Sequence, residues 1–222
     1  MSVTTLTPPL KWHGGKHYLA KRIVALMPRH LHYVEPYAGG LSVLLAKSSI
    51  GVSEVANDLN GALTNFWRVL QSPKDFEQFA RIPFSEVEWR DANIEMEATG
   101  EVDRAVDFFI VARQSLAGRL DTFAPLSRTR TRRQMNEQAS AWLGAVDGLP
   151  AVHARLRRVV VLNRPALEVI ESQDGPHTLF YCDPPYLRAT RTAPDAYGEF
   201  EMTRKITASC SAPWPASVVD SY

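Results

Sequence analysis

Thiols are scarce in this chain: of 222 residues only Cys182 and Cys210 are cysteine. Two cysteines make neither a disulfide framework nor a thiolate metal cluster, and they point to a reducing, cytoplasmic setting. His13, His30 and His153 lack metal-ligand spacing, so no metal site is expected and they read as surface or core histidines. No apolar run approaches the length of a membrane span, and the opening residues do not follow the basic-then-apolar order of a signal peptide. Charge of one sign is also lacking. The formal net charge is +1, so any surface for nucleic acid has to be a local patch. There is no internal repeat, and the turn at Ala38-Gly39-Gly40 is neither G-x-G-x-x-G nor followed by the phosphate-cradling lysine of a P-loop, which speaks against the common dinucleotide and P-loop patterns. What remains is a chain of ordinary apolar and charged content. It is long enough for one α/β domain with an insertion, or for two small domains.

The most informative stretch comes late. The apolar run His177 to Cys182 has the length and composition of a strand, and it runs into Asp183-Pro184-Pro185-Tyr186. Proline cannot continue a central strand and forces its predecessor into extended geometry. The strand should stop at Asp183 and leave a stiff turn at the carboxyl edge of a sheet, where open α/β folds bind ligands. A planar ring carrying an amino group suits such a turn: the carboxylate and a backbone carbonyl accept its two N–H bonds, and Tyr186 stacks on its face. For an isolated Asp-Pro-Pro the simpler account is a strand-ending turn with a solvated acid.

Earlier segments supply company. Lys11-Trp12-His13-Gly14-Gly15-Lys16 is a glycine loop flanked by a flat ring and a cation, and it feeds a helix expected over about His17 to Met27. His32 to Tyr37 reads as a short buried strand, with Ala38-Gly39-Gly40 as the turn into a helix over Leu41 to Lys47. Glu35 stands at that strand's tip, suited to accept from an ammonium or hydroxyls. A second strand, Ser53 to Asn57, ends at Asp58, which is placed either to accept ribose hydroxyls or to cap a helix over Asn60 to Gln71.

In this order, Lys11-Trp12-x-Gly-Gly-Lys16, Val34-Glu35-Pro36-Tyr37-x-Gly39-Gly40, Asn57-Asp58-x-Asn60 and Asp183-Pro184-Pro185-Tyr186 resemble the Dam-type N6-adenine DNA methyltransferases. The resemblance covers residues 8 to about 203. It implies a Rossmann-like α/β sheet dependent on S-adenosylmethionine, with double-stranded DNA as substrate. It also implies that Trp12, Lys16, Glu35, Tyr37 and Gly39 surround the methionine part of the cofactor and that Asp58 holds the ribose. Asp183, Pro184, Pro185 and Tyr186 form the catalytic turn around a flipped adenine. Cys182 then reads as a small core residue beside the site, not a nucleophile. Two departures stand out. The family usually carries a further glycine where this chain has Leu41. Its Asn-x-Asp-Phe segment reads here Asn163-Arg164-Pro165-Ala166, so no residue is assigned to the cofactor's adenine.

Four segments are expected: a cofactor half over 1–70, a mainly helical target-recognition insert over 71–157, a catalytic part over 158–205 and an aberrant tail over 206–222. In the insert, Ser72-Pro73 reads as a helix start, and Ser85 to Met96 and Glu101 to Leu116 read as helices. Arg113, Arg119, Arg128, Arg130, Arg132 and Arg133 face only Asp121 in the same stretch, and the last four alternate with hydroxyls in a loop suited to phosphates and guanine edges. The tail has Pro213 and Pro215 and no packed pattern. That predicts a sheet incomplete at its C-terminal end, with reduced stability and weak activity. Alternatives in other classes are a catalytically dead DNA-binding remnant, and a methyltransferase acting on cytosine N4 or on RNA.

Overall fold

The computed structural model describes residues 6–95 and 100–185. In chain order its elements are α1 (Ala20–Ala25), β1 (His32–Glu35), α2 (Ser42–Ala46), β2 (Ser53–Asn57), α3 (Gly61–Gln71), α4 (Glu86–Glu95), α5 (Glu101–Gln114), β3 (Thr131–Arg132), β4 (Met135–Asn136), α6 (Glu137–Leu156), β5 (Val159–Leu162), α7 (Ala166–Gln173) and β6 (Thr178–Phe180). The α/β architecture is the expected one: four parallel strands in the order β5-β2-β1-β6, wrapped by helices.

That order positions the site. The chain steps outward from β1 to β2 and β5, then returns through α7 to lay β6 on the other side of β1. The reversal opens a crevice between the carboxyl ends of β1 and β6, the usual ligand position in such sheets. Consecutive residues Tyr33 and Val34 are both fully buried, as a parallel strand covered on both faces requires. One face is thick: Tyr33 and Ala56 pack with α2, α3, α5 and α6 in a single cluster. The other is thin, made of Val34, Val55 and Val169 of α7, with Leu162 and Phe180 beside them.

The thick cluster crosses the boundaries expected at 70/71 and 157/158. Phe66 of α3 stacks on Phe109 of α5 at 5.8 Å between ring centroids, and Phe109 meets Trp142 of α6 at 5.1 Å. Burial of each such ring contributes roughly 2–3 kcal/mol. The insert therefore shares one core with the sheet. The far end of α6 returns to the cofactor-half elements as well: His153 bonds the Leu70 carbonyl of α3 through Nδ1 at 2.8 Å, and Arg155 reaches Glu54 on β2 at 2.6 and 2.7 Å. Lys47 meets the same carboxylate at 2.9 Å, so one sealed acid carries two cations.

Several local expectations are corrected. α1 is only six residues, without a side-chain cap at its start, and residues 17–19 form a turn. After Ser72-Pro73 no α-helix forms. A 3-10 segment, Phe76–Ala80, takes its place, because Pro83 bars helical geometry at Ile82 and leaves little more than two turns of room. The arginine loop is a β-hairpin, β3 paired with β4. Cys182 is exposed instead of sitting in the core, since it lies past the last ladder residue of a strand that is an edge among the described residues. Tyr186 and the tail over 206–222 lie outside the described residues.

Candidate functional site

Three turns meet at the crevice. The first follows β1. Gly39 has φ of +49°, and a Cβ there would stand 2.9 Å from the Trp12 ring nitrogen, so only glycine lets the ring lie on the turn. Gly40 is equally tight, its virtual Cβ 3.0 Å from Trp12 Cβ. The Trp67 indole donates to the Gly39 carbonyl at 3.1 Å. Where a further glycine was expected, Leu41 itself adopts the left-handed conformation, φ 54°, with its side chain fully buried. That conformation costs roughly 1–2 kcal/mol, which burial of the leucine offsets. The turn thus keeps its shape without the glycine.

The second turn follows β2. Asp58 Oδ2 accepts from Gly39 N at 2.9 Å and Oδ1 from Asn60 N at 3.0 Å. Burial raises its carboxyl above the usual range, and backbone donors from Asn60, Gly39 and Leu59 pull the other way. The helix cap is Asn60, whose side chain accepts from Leu63 N at 3.1 Å. Asp58 instead ties the turn after β1 to the turn after β2 through one contact on each oxygen, and it stays half-buried.

The third turn follows β6. Tyr181 N donates to the Val34 carbonyl at 2.9 Å, continuing the pairing past the last strand residue, and the chain then breaks at the prolines. Asp183 meets Lys16: the ammonium donates to Oδ1 at 2.9 Å and to Oδ2 at 2.6 Å, and also to the Gly14 carbonyl at 2.9 Å. The two side chains are 20% and 26% exposed, so the pair is open to a ligand. Pro184 and Pro185 are half-buried beside it.

Glu35 faces inward. It is 1% exposed, and its Oε1 accepts from the Tyr33 hydroxyl at 2.7 Å. Burial drives its carboxyl up to about 8; the Tyr33 and Leu44 donors lower it, and the Glu54 and Asp183 charges raise it. Glu35 is therefore largely protonated at neutral pH. Tyr33, in turn, is held neutral chiefly by burial, and its hydroxyl donates to the Glu35 carboxyl beside it. Tyr37 is half-buried on the same turn.

The insert contributes a second surface. In the β3–β4 hairpin Arg133 and Gln134 both have positive φ, 54° and 62°, the pattern of a two-residue turn normally given to Asn-Gly. Arg128, Arg130, Arg132 and Arg133 are exposed along it, and Arg119 is exposed upstream. Arg113 departs from the sequence expectation. It lies half-buried on α5, its guanidinium donates to the Ala141 carbonyl of α6 at 2.9 Å, and burial lowers it to about 10. It joins two helices and does not present a cation to solvent.

Sequence reasoning gave no role to Lys11, Asn57, Gln138 or Asn163. Lys11 donates to Gln138 at 3.1 Å and is lowered to about 8, first by burial and then by the charge of Arg113. A Cβ on Gly118 would stand 2.2 Å from the Lys11 carbonyl, so the segment after α5 presses directly on the Lys11–Lys16 loop. Asn57 bonds the Pro36 and Arg164 carbonyls and accepts from Arg164 N, while Asn163 donates to the Asp58 and Leu59 carbonyls. Asparagine at the carboxyl ends of two strands, closing β2 and following β5, was the available signal: its amide can satisfy several strand-end carbonyls at once.

Comparison with known proteins gives a consistent result. The family model of D12 class N6 adenine-specific DNA methyltransferases matches residues 12–208. The chain is also 24% identical over 209 residues to the type II methyltransferase M1.LlaDCHI of Lactococcus lactis subsp. cremoris, an alignment covering 85% of this chain and 68% of that protein. Among the described residues no helix is long and apolar enough to cross a membrane, and no cluster of metal-ligating side chains occurs.

Proposed function

The chain belongs to the D12 class of N6 adenine-specific DNA methyltransferases, and on that premise we propose that it methylates the exocyclic N6 of an adenine flipped from duplex DNA, with S-adenosylmethionine as donor. The observation that carries this reading is the convergence of three turns at one crevice, tied by the Asp58–Gly39 and Asp183–Lys16 contacts. The donor set also fits that cofactor. Asp58 retains lone pairs for a ribose diol, Lys16 offers an ammonium to a carboxylate, and the Gly39–Gly40 turn under Trp12 allows close backbone approach. Trp12, Lys16, Tyr37, Gly39 and Asp58 would hold it, with the buried Glu35 behind them and not in contact with it.

The cofactor supplies an electrophilic methyl group on a sulfonium. The chain supplies position and charge. Adenine's amino nitrogen is a poor nucleophile because its lone pair is delocalised into the ring. Asp183 and the Pro184 carbonyl accept its two N–H bonds, favour pyramidal geometry and stabilise the positive charge that grows on nitrogen. Pro185 stiffens the turn, and Tyr186, outside the described residues, is the stacking partner. Arg119, Arg128, Arg130, Arg132 and Arg133 would meet phosphates and base edges, with the hairpin as the protruding element.

Two measurements test this. Calorimetric titration with S-adenosylmethionine should show binding that Asp58→Ala weakens strongly. Nucleoside mass spectrometry of duplex DNA incubated with the chain and cofactor should then show N6-methyladenine. N4-methylcytosine, or no methylated nucleoside at all, would sink the adenine assignment.

A further inference from the structure

Lys16 occupies the acceptor that the amino group of the base needs. Its ammonium engages both oxygens of Asp183, and it also reaches back to the Gly14 carbonyl of its own loop. A carboxylate has about four lone-pair directions, so the base is not excluded outright. The charge balance is the real obstacle. As the methyl group arrives, positive charge develops on the amino nitrogen, and an ammonium held against the same carboxylate weakens the stabilisation that Asp183 provides. The neighbouring acid does not relieve this, because Glu35 is buried, accepts from the Tyr33 hydroxyl and is itself raised by the Asp183 charge. Lys16 sits on a glycine loop, and its side chain is partly exposed, so it can swing without unpacking the core.

Resting on the reading above, we propose that Lys16 exchanges partners: it holds Asp183 in the free protein and moves to the amino-acid carboxylate of the cofactor when the crevice fills, which frees Asp183 for the base. Filling of the cofactor crevice thereby precedes productive capture of adenine. Asp183 and the cofactor carboxylate compete for one cation, and competition is measurable without DNA.

The probes are S-adenosylhomocysteine, which carries a carboxylate but no sulfonium, and its decarboxylated counterpart S-adenosyl-3-thiopropylamine. Calorimetric affinities are measured for the intact chain, Asp183→Asn, Lys16→Met and the double variant. Removing the competing carboxylate should tighten S-adenosylhomocysteine by about threefold, the scale of a partly exposed ion pair. It should leave the decarboxylated probe unchanged. Lys16→Met should weaken S-adenosylhomocysteine at least about tenfold, as expected for loss of a charge-assisted bond, and should abolish the effect of Asp183→Asn. Equal tightening of both probes by Asp183→Asn, or none, overturns the exchange and leaves the methyltransferase reading intact. If the wild-type chain, which needs no substitution to be tested, binds neither probe, the reading itself fails and the exchange with it.

Discussion

Two carboxylate–lysine contacts lie at opposite ends of the same sheet, and their surroundings give them opposite roles. At the amino-terminal side Glu54 receives Lys47 and the forked guanidinium of Arg155, with the Lys47 and Glu54 side chains 3% and 0% exposed. At the carboxyl side Asp183 receives Lys16 alone among the described residues, at the open crevice. Between them Glu35 is sealed like Glu54 but meets no cation among the described residues, and burial keeps it protonated. A sealed acid with two cations is committed to structure, because no ligand can reach it and either partner left alone is costly. A half-open acid with one cation can change partners. The number of cations and the access of solvent, more than the residue types, separate scaffold from site.

That contrast can be broken in order of size. Glu54→Ala strands two buried cations and should lower stability by about 3–5 kcal/mol, seen as a fall of roughly 10 °C or more in the thermal midpoint. A midpoint within a degree or two of wild type would mean that the network is not structural. Asp183→Asn should do the reverse. Its melting curve should stay close to wild type, since a partly exposed pair contributes at most about 1 kcal/mol. Methyl transfer to DNA should fall by about 10²–10³-fold, the scale of losing one preorganised electrostatic partner.

Glu35 sharpens the comparison through pH. Its folded carboxyl, at about 8, lies above the ordinary 4.5, so its contribution is fully present below pH 4.5 and is lost as pH rises to 8. Denaturant titrations should show stability falling over that window by up to ~1.4 kcal/mol per pH unit, and Glu35→Gln should flatten the slope. An unchanged slope in the variant would assign the effect elsewhere. The smallest effect is expected at the hairpin. Arg132→Ala should weaken DNA binding uniformly across sequences and reduce the logarithmic salt dependence by about one unit, if that side chain meets a phosphate. Arg113→Met, by contrast, should leave the salt slope unchanged and lower the melting temperature, because its guanidinium serves Ala141.

Much of the site was legible in order along the chain. Glycines before helices, acids at strand tips and the Asp-Pro-Pro turn follow from local rules, and the short strands fell within a few residues of expectation. The misses share one cause. Two-residue strands β3 and β4 carry too little pattern to announce a hairpin, and their turn uses Arg133 and Gln134 where Asn-Gly would have signalled it. Leu41 reads as the wrong residue for its backbone until its burial is known. Arg113 has the composition of a DNA contact and the packing of a helix clamp.

The sequence by itself determined the class of fold, the family and the turns at the strand ends, because each depends on residues a few positions apart. Only the tertiary structure decided which acid meets which cation. Lys16 and Asp183 are 167 residues apart, and Arg155 and Glu54 are 101 apart. Such pairings depend on strand order: by laying β6 beside β1, the chain brought its first glycine loop against the Asp-Pro-Pro turn.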